Sequence, residues 1–502
     1  MKLSKSITGL VSSIALLGIL AACGEKPQGQ SSSTTPTAGD KPSSVTISFW
    51  HTFGKNTQDY LAQVIESFHD LVLEHDGVDV SIETSYKGSY DDIQNNILMG
   101  FASGSYPNIT VAYPDNVANY IYNSPSGREV LVNLDQWMSS PEVGFGTQEW
   151  LGDKSGSTAY GKDDFVEAFI EESSMYQQAG SYSLPFMKSS EVMFYNKQAF
   201  YTACKMYQPE GVNVDSTDAM DEWISNINWD DFMAFGEYIK DHKQDILTSL
   251  EYPIYYDSDS NLFITKLMQN DIPYSAIGDN GVGEIPFESG ENRTKAEAII
   301  QSLADAHADG VFTTKALEGT YGSNAFTEQK TIFSIGSSGG TGYNIPTSDA
   351  FSVGVCKIPY DNNNPIYVNQ GPTLALLNNT TNETEGYWRT YYSWEFMKYL
   401  TNPDVNAKIC VLGSEGYVPV RYSAYETTVY QQFMQDLTDP IAATSDILQN
   451  DINGNYIVTP VFVGSAQLRD QVGTILNTVC TQNISVSEAF TNAINNAKTY
   501  FH

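Results

Sequence analysis

In the first part of the chain with enough apolar residues to form a core, sequence patterns typical of strands alternate with patterns typical of helices. This alternation constrains the fold more than any other feature. Three segments have the apolar spacing of strands: 45–50, 78–84 and 109–113. Two stretches with apolar residues at helical spacing separate them: 60–71 and 93–101. A short strand–helix–strand–helix–strand run of this kind predicts a parallel, doubly wound α/β sheet.

The order of these elements also predicts where a ligand would bind. In open α/β sheets, ligands lie beyond the carboxyl ends of the strands. This rule places the residues after Trp50, around Tyr90 and after Tyr113 along one rim of the sheet. Ser89 and Asp92 have the spacing of a capping box, which indicates that a helix begins on this rim.

Residues 1–22 have the three parts of a secretory signal peptide: a positive start, a short apolar run and a small-residue cleavage site. The apolar run is shorter than the roughly 20 residues that a membrane-spanning helix needs. Leu20-Ala21-Ala22-Cys23 resembles the bacterial lipobox, whose cysteine thiol receives a diacylglyceryl group and becomes the mature N-terminus. We therefore expect acyl chains on Cys23 to hold the protein on the outer face of the cytoplasmic membrane.

Composition bounds the remainder of the chain. The segment 23–43 is rich in Ser, Thr, Pro, Gly and Gln, which predicts a flexible tether. The mature chain, residues 23–502, is long enough for two domains, and the apolar content of 41% supports real cores. The formal net charge of -34 excludes nucleic acid as a partner, because a binder needs clustered Lys and Arg. It also weighs mildly against an anionic ligand.

Metal and thiol chemistry find little support in the sequence. Cys204, Cys356, Cys410 and Cys480 are far apart and lack C-x-x-C spacing, which argues against zinc. Disulfides and buried thiols both remain open for them, with a slight preference for buried thiols because their neighbours are apolar. The histidines form no ligand motif either, so we expect no metal and no cofactor.

A series of short strings resembles family 1 extracellular solute-binding proteins, the family of the maltose-binding and glycerol-3-phosphate-binding receptors. The strings are Ile47-Ser48-Phe49-Trp50-His51, Tyr86-Lys87-Gly88-Ser89-Tyr90, Leu184-Pro185-Phe186, Phe194-Tyr195-Asn196-Lys197, Ser337-Ser338-Gly339, Gly371, Gly416-Tyr417-Val418-Pro419 and Arg469. Their order and spacing carry the resemblance to the glycerol-3-phosphate-binding branch along most of the mature chain.

The resemblance implies an α/β, type II periplasmic-binding-protein fold. Each of its two lobes is a doubly wound sheet flanked by helices, and hinge strands cross between the lobes. Neither lobe is continuous in sequence: we place lobe I at 44–188 plus 336–372, and lobe II at 189–335 plus 373–502. The resemblance further implies that the hinge closes around a ligand in the cleft and that the loaded protein then docks on an ABC permease. We expect a monomer.

The resemblance also implies a set of ligand contacts. Carried over one by one, they fall on Tyr90, Ser189, Ser338, Gly371, Tyr417 and Arg469. A tyrosine offers a sugar both an aromatic face and a hydroxyl. An arginine offers its fork of donors to a phosphate or a sugar hydroxyl, although a surface ion pair with Asp470 or another acid is the alternative for Arg469.

Three further positions bear on the ligand. Trp50 stands at the carboxyl end of the first strand, where it belongs either to the cleft wall or to the core. An acidic contact of the family falls near Pro114-Asp115, where this chain has shifted or lost it. The family's tryptophan-rich stretch corresponds to residues 255–259, which contain no tryptophan. The two departures leave the identity of the ligand open.

Two local motifs compete with this interpretation and fail. Residues 336–340 fit the G-x-S-x-G nucleophile elbow with Ser338 as nucleophile, but only His502 follows as a candidate base. Residues 257–261 begin like a calcium loop, but Leu262 and Met268 replace its glycine and its bidentate glutamate.

The sequence therefore predicts a lipid-anchored, non-enzymatic receptor that captures a carbohydrate or polyol-type solute for an ABC importer. Glycerol 3-phosphate and neutral saccharides remain competing ligands. A surface-anchored glycoside hydrolase is the enzymatic alternative, since a suitable carboxylate pair could exist among the many acidic residues. A sensor or an adhesin that uses the same fold is the third hypothesis.

Overall fold

A computed structural model describes residues 39–125, 129–152, 161–380, 383–414, 416–452, 454–482 and 484–502. The expected signal peptide, the lipidated Cys23 and most of the tether lie outside the described residues. Among the described helices, none has both the length and the hydropathy needed to cross a membrane.

The strands of this part of the chain are β1 (Ser44–His51), β2 (Asp79–Tyr86), β3 (Ile109–Ala112), β4 (Leu184–Pro185), β5 (Glu191–Asn196), β6 (Ile254–Tyr256), β7 (Ala276–Ile277), β8 (Gly283–Glu284), β9 (Phe312–Thr314), β10 (Phe333–Ser337), β11 (Val353–Cys356), β12 (Tyr367–Val368), β13 (Thr373–Leu376) and β14 (Tyr456–Ile457).

Its α-helices are α1 (Lys55–Asp76), α2 (Tyr90–Gly100), α3 (Pro114–Tyr122), α4 (Asp135–Met138), α5 (Glu167–Glu171), α6 (Lys197–Tyr207), α7 (Thr217–Ser225), α8 (Trp229–Asp241), α9 (Lys243–Ile246), α10 (Asp259–Gln269), α11 (Gly290–Ala308), α12 (Lys315–Glu318), α13 (Gly322–Thr327), α14 (Glu383–Leu400), α15 (Pro403–Lys408), α16 (Tyr422–Tyr425), α17 (Thr428–Phe433), α18 (Pro440–Asp446), α19 (Ser465–Gly473), α20 (Ile475–Gln482) and α21 (Val486–Lys498).

Two five-stranded sheets organise these elements. The first has the order β2-β1-β3-β13-β4, with β1 parallel to β2 and β3, and with β13 antiparallel to β3 and β4. The second has the order β11-β5-β10-β6-β9, in which β10, β6 and β9 are parallel and β5 runs against its two neighbours. The first lobe is here the first sheet with the helices packed on it, and the second lobe is the second sheet with its helices. The expected α/β, two-lobed fold is confirmed.

The first lobe forms because its apolar residues follow the predicted periodicities. In β1, the side chains of Val45, Ile47 and Phe49 are buried on one face. The long helix α1 buries residues at positions i, i+3 and i+7 along one stripe and ends at Gly77, whose φ of 68° is left-handed. Helix α14 covers the same sheet, and the Phe396 ring lies 6.2 Å from that of Phe49.

The second lobe has its own aromatic core. Phe333 on β10 makes edge-to-face contacts with Phe200 on α6 and Phe232 on α8, with ring centroids 6.1 and 5.0 Å away. Helices α10 and α11 pack against each other, and the C-terminal helices α19, α20 and α21 pack on them. The C-terminal part of the chain therefore completes the second lobe.

The sheets correct the expected lobe boundaries. We expected residues 336–372 in lobe I, but β11 pairs with β5 of the second sheet from Val353 to Cys356. We expected residues 373–502 in lobe II, but β13 pairs with β3 and β4 of the first sheet. The chain passes from the first lobe to the second between β4 and β5, near residue 188 as expected. It passes back, in what we call the return crossing, after β11 and before β13.

Candidate functional site between the two lobes

A cavity of about 330 Å³ lies between the lobes at the carboxyl ends of their strands. The first lobe contributes the start of α2, after β2, and the start of α3, after β3. The second lobe contributes the start of α10, after β6. Residues 368–370 of the return crossing and residues 457–470 complete the wall. The position is the one that the strand-end rule predicts.

Arg469 joins the two lobes across this cavity. Its Nε lies 3.4 Å from Oδ2 of Asp115 at the start of α3 in the first lobe. Its Nη1 donates a hydrogen bond of 2.6 Å to Oδ1 of Asn261 on α10 in the second lobe. The predicted residue thus lines the cleft, and its carboxylate partner is Asp115 rather than the neighbouring Asp470.

Asp115 lines the cavity. It stands near the position where the resemblance implies an acidic contact that this chain has shifted or lost, and ligand contact by Asp115 is not tested. Pro114 occupies the first position of α3, where its fixed φ suits a helix start. Asp115 follows in the first helical turn, where the helix dipole favours a carboxylate.

Aromatic rings form one side of the site. The rings of Tyr90 and Tyr113 lie 4.3 Å apart, and both residues line the cavity. Burial raises the pKa of each hydroxyl, so both remain protonated and can donate a hydrogen bond. The resemblance predicted Tyr90 as a ligand contact. For Tyr113, the sequence predicted only that the residues following it lie on the rim of the sheet.

Tyr417 and Trp50 do not line the cavity. The Tyr417 ring packs over Gly339, where a Cβ atom would come within 2.7 Å of the tyrosine Cζ. The Trp50 ring, near the end of β1, lies under the Lys87 ammonium group at 4.2 Å. Ligand contact by either residue stays a prediction.

The remaining three predicted contacts lie where the lobes join. Ser189 and Gln370 exchange two backbone hydrogen bonds of 3.1 and 3.0 Å between the crossing segments. Gly371 has a φ of 96°, and an added Cβ would lie 2.3 Å from the Met187 carbonyl oxygen. Ser338 is fully buried, and its N–H donates to the Ser190 carbonyl at 2.7 Å. These residues shape the hinge side of the cleft, and direct ligand contact stays a prediction for them too.

A buried ion pair between Glu172 and Lys188 underlies the cavity floor. The Lys188 side chain is fully buried, and its ammonium group also donates to the Gly371 carbonyl at 3.4 Å. Glu172 accepts a hydrogen bond of 3.2 Å from Asn369. Burial raises the pKa of Glu172, and the neighbouring Lys188 ammonium opposes that shift. No sequence motif connects these residues, which is why this pair was missed.

Two polar side-chain atoms of the cavity wall have no hydrogen-bond partner among the described residues. They are Oδ1 of Asn369, an acceptor, and Nε2 of Gln370, a donor. Both residues are buried, with exposed fractions of 7% and 8%. Both atoms themselves are almost inaccessible, so they are unpaired polar groups packed behind the surface of the cavity wall.

Within the described residues, no group of His, Cys, Asp and Glu side chains could hold a metal ion. The two carboxylates of the rejected calcium loop have structural partners: Asp257 accepts from the Gly322 N–H, and Asp259 from the Thr314 hydroxyl. Cys204, Cys356, Cys410 and Cys480 form no disulfide.

Two α/β lobes around a polar cleft define a type II solute-binding protein. The family model for the bacterial extracellular solute-binding protein matches residues 64–442, and the chain belongs to this family. The resemblance stated from the sequence is thereby confirmed.

Individual relatives are distant. The sn-glycerol-3-phosphate-binding periplasmic protein UgpB of Rhizobium meliloti (strain 1021) is 23% identical over 405 residues, which cover 78% of each chain. The GacH receptor of Streptomyces glaucescens superposes with a TM-score of 0.64 at 16% identity, covering 92% of this chain and 98% of the receptor. The structure of UgpB from Mycobacterium tuberculosis in complex with glycerophosphocholine gives the same four values. At these identities the two solved structures establish the fold alone.

Proposed function

We propose that this chain is a lipid-anchored, extracytoplasmic receptor that binds a carbohydrate or polyol-type solute in its cleft and delivers it to an ABC permease. One observation carries the proposal: Arg469 spans the cavity between Asp115 of the first lobe and Asn261 of the second. A ligand that enters this network contacts both lobes, and only such a ligand favours the closed form.

The chemistry of the wall favours a polyhydroxylated ligand. Sugars and polyols present several hydroxyls, each of which both donates and accepts, and sugar rings also have an apolar face. Polar side chains of the cavity wall, such as Ser258, Ser260 and Thr459, suit the hydroxyls, and the Tyr90 and Tyr113 rings suit the apolar face. The UgpB relative is named for binding glycerol 3-phosphate, which belongs to the same broad ligand class.

Delivery and anchoring complete the proposal. Membership of the solute-binding family supports an ABC permease as the partner. The lipobox-like Leu20-Ala21-Ala22-Cys23 and the polar segment that follows support an acylated, tethered protein at the membrane's outer face, which we propose to be a monomer. Cys23→Ala should move the protein from the membrane fraction to the soluble fraction, and unchanged membrane retention would contradict the anchor.

A thermal-shift panel tests the ligand class. We expect at least one member of a panel of mono-, di- and oligosaccharides, polyols and glycerol phosphates to raise the melting temperature. Arg469→Ala should remove that shift, whereas Arg389→Ala should keep it, because Arg389 lies on α14 outside the cavity. An unchanged shift in Arg469→Ala would contradict the site.

The same panel separates a receptor from a glycoside hydrolase. Acidic residues including Asp91, Asp115 and Asp470 line the cavity, so the enzymatic alternative deserves a direct assay. We expect mass spectrometry to recover every bound saccharide unchanged after prolonged incubation. Conversion of a saccharide by the wild type but not by the three Asp→Asn variants would instead establish the enzyme.

A further inference from the structure

Helix α3 of the first lobe is held against the second lobe near both of its ends. Near its N-terminal end, Asp115 pairs with Arg469 of α19 across the cavity. At its C-terminal end, the ring of Tyr122 stacks on that of His502, which follows α21; the centroids are 5.4 Å apart and the ring planes differ by 4°. The second contact lies outside the cavity, about 10 Å further along the same helix.

The side-chain amide of Gln177 makes a second connection at the same place. Its Nε2 donates a hydrogen bond of 3.0 Å to the His502 carbonyl, and its Oε1 accepts one of 3.3 Å from the Val463 N–H. Gln177 precedes β4 and belongs to the first lobe, whereas Val463 and His502 flank the C-terminal helices of the second lobe. Both ends of one amide therefore bind across the boundary between the lobes.

Residues 499–502 are themselves fixed to the second lobe. The Phe501 ring packs edge-to-face on the ring of Phe462, with centroids 4.9 Å apart. It also lies directly over Gly464, where an added Cβ would come within 2.7 Å of the Phe501 Cδ1. Because its neighbour is packed in this way, His502 is held in place on the second lobe, and its contacts with the first lobe connect two bodies.

We infer that Tyr122, Gln177 and His502 form a clasp that stabilises the closed arrangement of the lobes, and that the clasp sets the affinity for the solute without touching it. All three residues lie outside the cavity. In the proposed function the solute acts at one end of α3 and the clasp at the other, so both favour the docked position of this helix. A contact that raises the closed fraction tightens the apparent affinity. This inference rests on the proposed function and adds positioning residues to it.

Titration calorimetry tests the clasp with every saccharide, polyol and glycerol phosphate of the thermal-shift panel that binds the wild type. Tyr122→Ala and Gln177→Ala should each weaken binding roughly three- to tenfold, the range expected when the closed form loses one ordinary contact. Tyr122→Phe keeps the ring and should bind like the wild type. Gln178→Ala is the matched control, because the Gln178 amide donates to the Tyr182 hydroxyl within the first lobe.

Three further readouts distinguish a clasp from a ligand contact and from a damaged fold. All solutes should lose affinity by the same factor, because the substituted side chains do not touch them. The loss should appear as faster dissociation, since the clasp acts in the closed form. The Tyr122 side chain is 51% exposed, so the unliganded alanine variant should melt close to the wild-type temperature.

The outcomes separate this inference from the proposed function. Unchanged affinity in Tyr122→Ala and Gln177→Ala, an equal loss in Gln178→Ala, or a loss confined to one solute would overturn the clasp and leave the receptor. Failure of the whole panel to bind the wild type would instead overturn the proposed function.

Spin labels on α2 and α11, one in each lobe, test the clasp without any solute. Tyr122→Ala combined with Gln177→Ala should shift the distance distribution of the unliganded protein towards longer distances. An unchanged distribution would overturn the clasp even if the panel yields no ligand.

Discussion

Glu191 at the start of β5 is a carboxylic acid whose surroundings disfavour its ionised form. Its carboxyl group is fully buried, accepts a hydrogen bond from the Tyr256 hydroxyl and has one oxygen without a partner among the described residues. Burial raises the pKa of Glu191 to about 8. At neutral pH the folded protein therefore holds this group protonated, whereas the unfolded chain ionises it.

This difference predicts a pH-dependent gain in stability for Glu191→Gln. Between about pH 4.5 and 8 the folded state binds more protons at Glu191 than the unfolded state, so its contribution to stability falls as the pH rises. The amide cannot ionise and still accepts from Tyr256. We expect the variant to melt at a higher temperature than the wild type at pH 8, by a free-energy difference of a few kcal/mol.

The control for this prediction is the same comparison at pH 4.5, where the advantage of Glu191→Gln should vanish. Glu83→Gln, at an exposed position of β2, should alter the melting temperature little at either pH. An equal shift at both pH values, or a loss of stability at pH 8, would contradict a protonated Glu191.

Two residues predicted from the sequence, Arg469 and Tyr90, line the cavity. The resemblance assigns both, and the strand-end rule independently places Tyr90 on the rim. Asn369 and Gln370 lie in an irregular segment where nothing in the pattern distinguishes them from other polar residues. Their position in the cavity wall follows only from the packed structure.

At the scale of elements, the two segments that cross between the lobes are packed closely against each other at one point, where Gly371 meets residues 187–188. The backbone at Gly371 passes so near residues 187–188 that a Cβ would overlap the Met187 carbonyl. Gly371→Ala should destabilise the fold by clearly more than Gly319→Ala. Both glycines have a positive φ, which costs about 1 kcal/mol for alanine, but Gly319 has nothing within 4 Å of the added carbon.

Thermal unfolding of these two alanine variants measures the contribution of the close approach. Since the backbone strain is similar, the difference between them reports on the steric clash alone. Equal melting temperatures for Gly371→Ala and Gly319→Ala would show that the crossing segments can move apart with no loss of stability.

The ion pair beside the crossing predicts a second result for this element. Lys188→Met leaves Glu172 buried without its cation and should cost on the order of 3–5 kcal/mol. Lys188→Met combined with Glu172→Gln should cost much less than the sum of the single changes, because no unpaired charge remains. Denaturant unfolding of the four proteins provides the double-mutant cycle, and additive effects would contradict a coupled pair.

Long helices and strands with a regular apolar pattern were predicted from the sequence more accurately than short ones. Helix α1 was recognised from Tyr60 onward and extends five residues further towards its N-terminus, beginning at Lys55. The capping box at Ser89 and Asp92 is present as predicted. The segments that form β11 and β13 were placed in the wrong lobes, because a short strand's sequence does not say which edge it pairs with.

At the scale of the whole molecule, two lobes enclose a cavity, and the chain belongs to a solute-binding family. The proposed function requires these lobes to close on a polar solute. Because Arg469 contacts both lobes, its loss should weaken ligand binding and closure together. Changes confined to one lobe's core should lower stability without this coupled effect.

Spin-label distances measure closure most directly. One label replaces Met99 on α2, which is 71% exposed, and the other replaces Lys295 on α11 of the second lobe. Cys480 is changed to serine because it is the least buried of the four unpaired cysteines. We predict that a saturating amount of the solute that gives the largest thermal shift will shorten the distance between the labels, and that Arg469→Ala will require more of it. A distance distribution that stays the same at saturation would contradict a receptor that closes on its ligand.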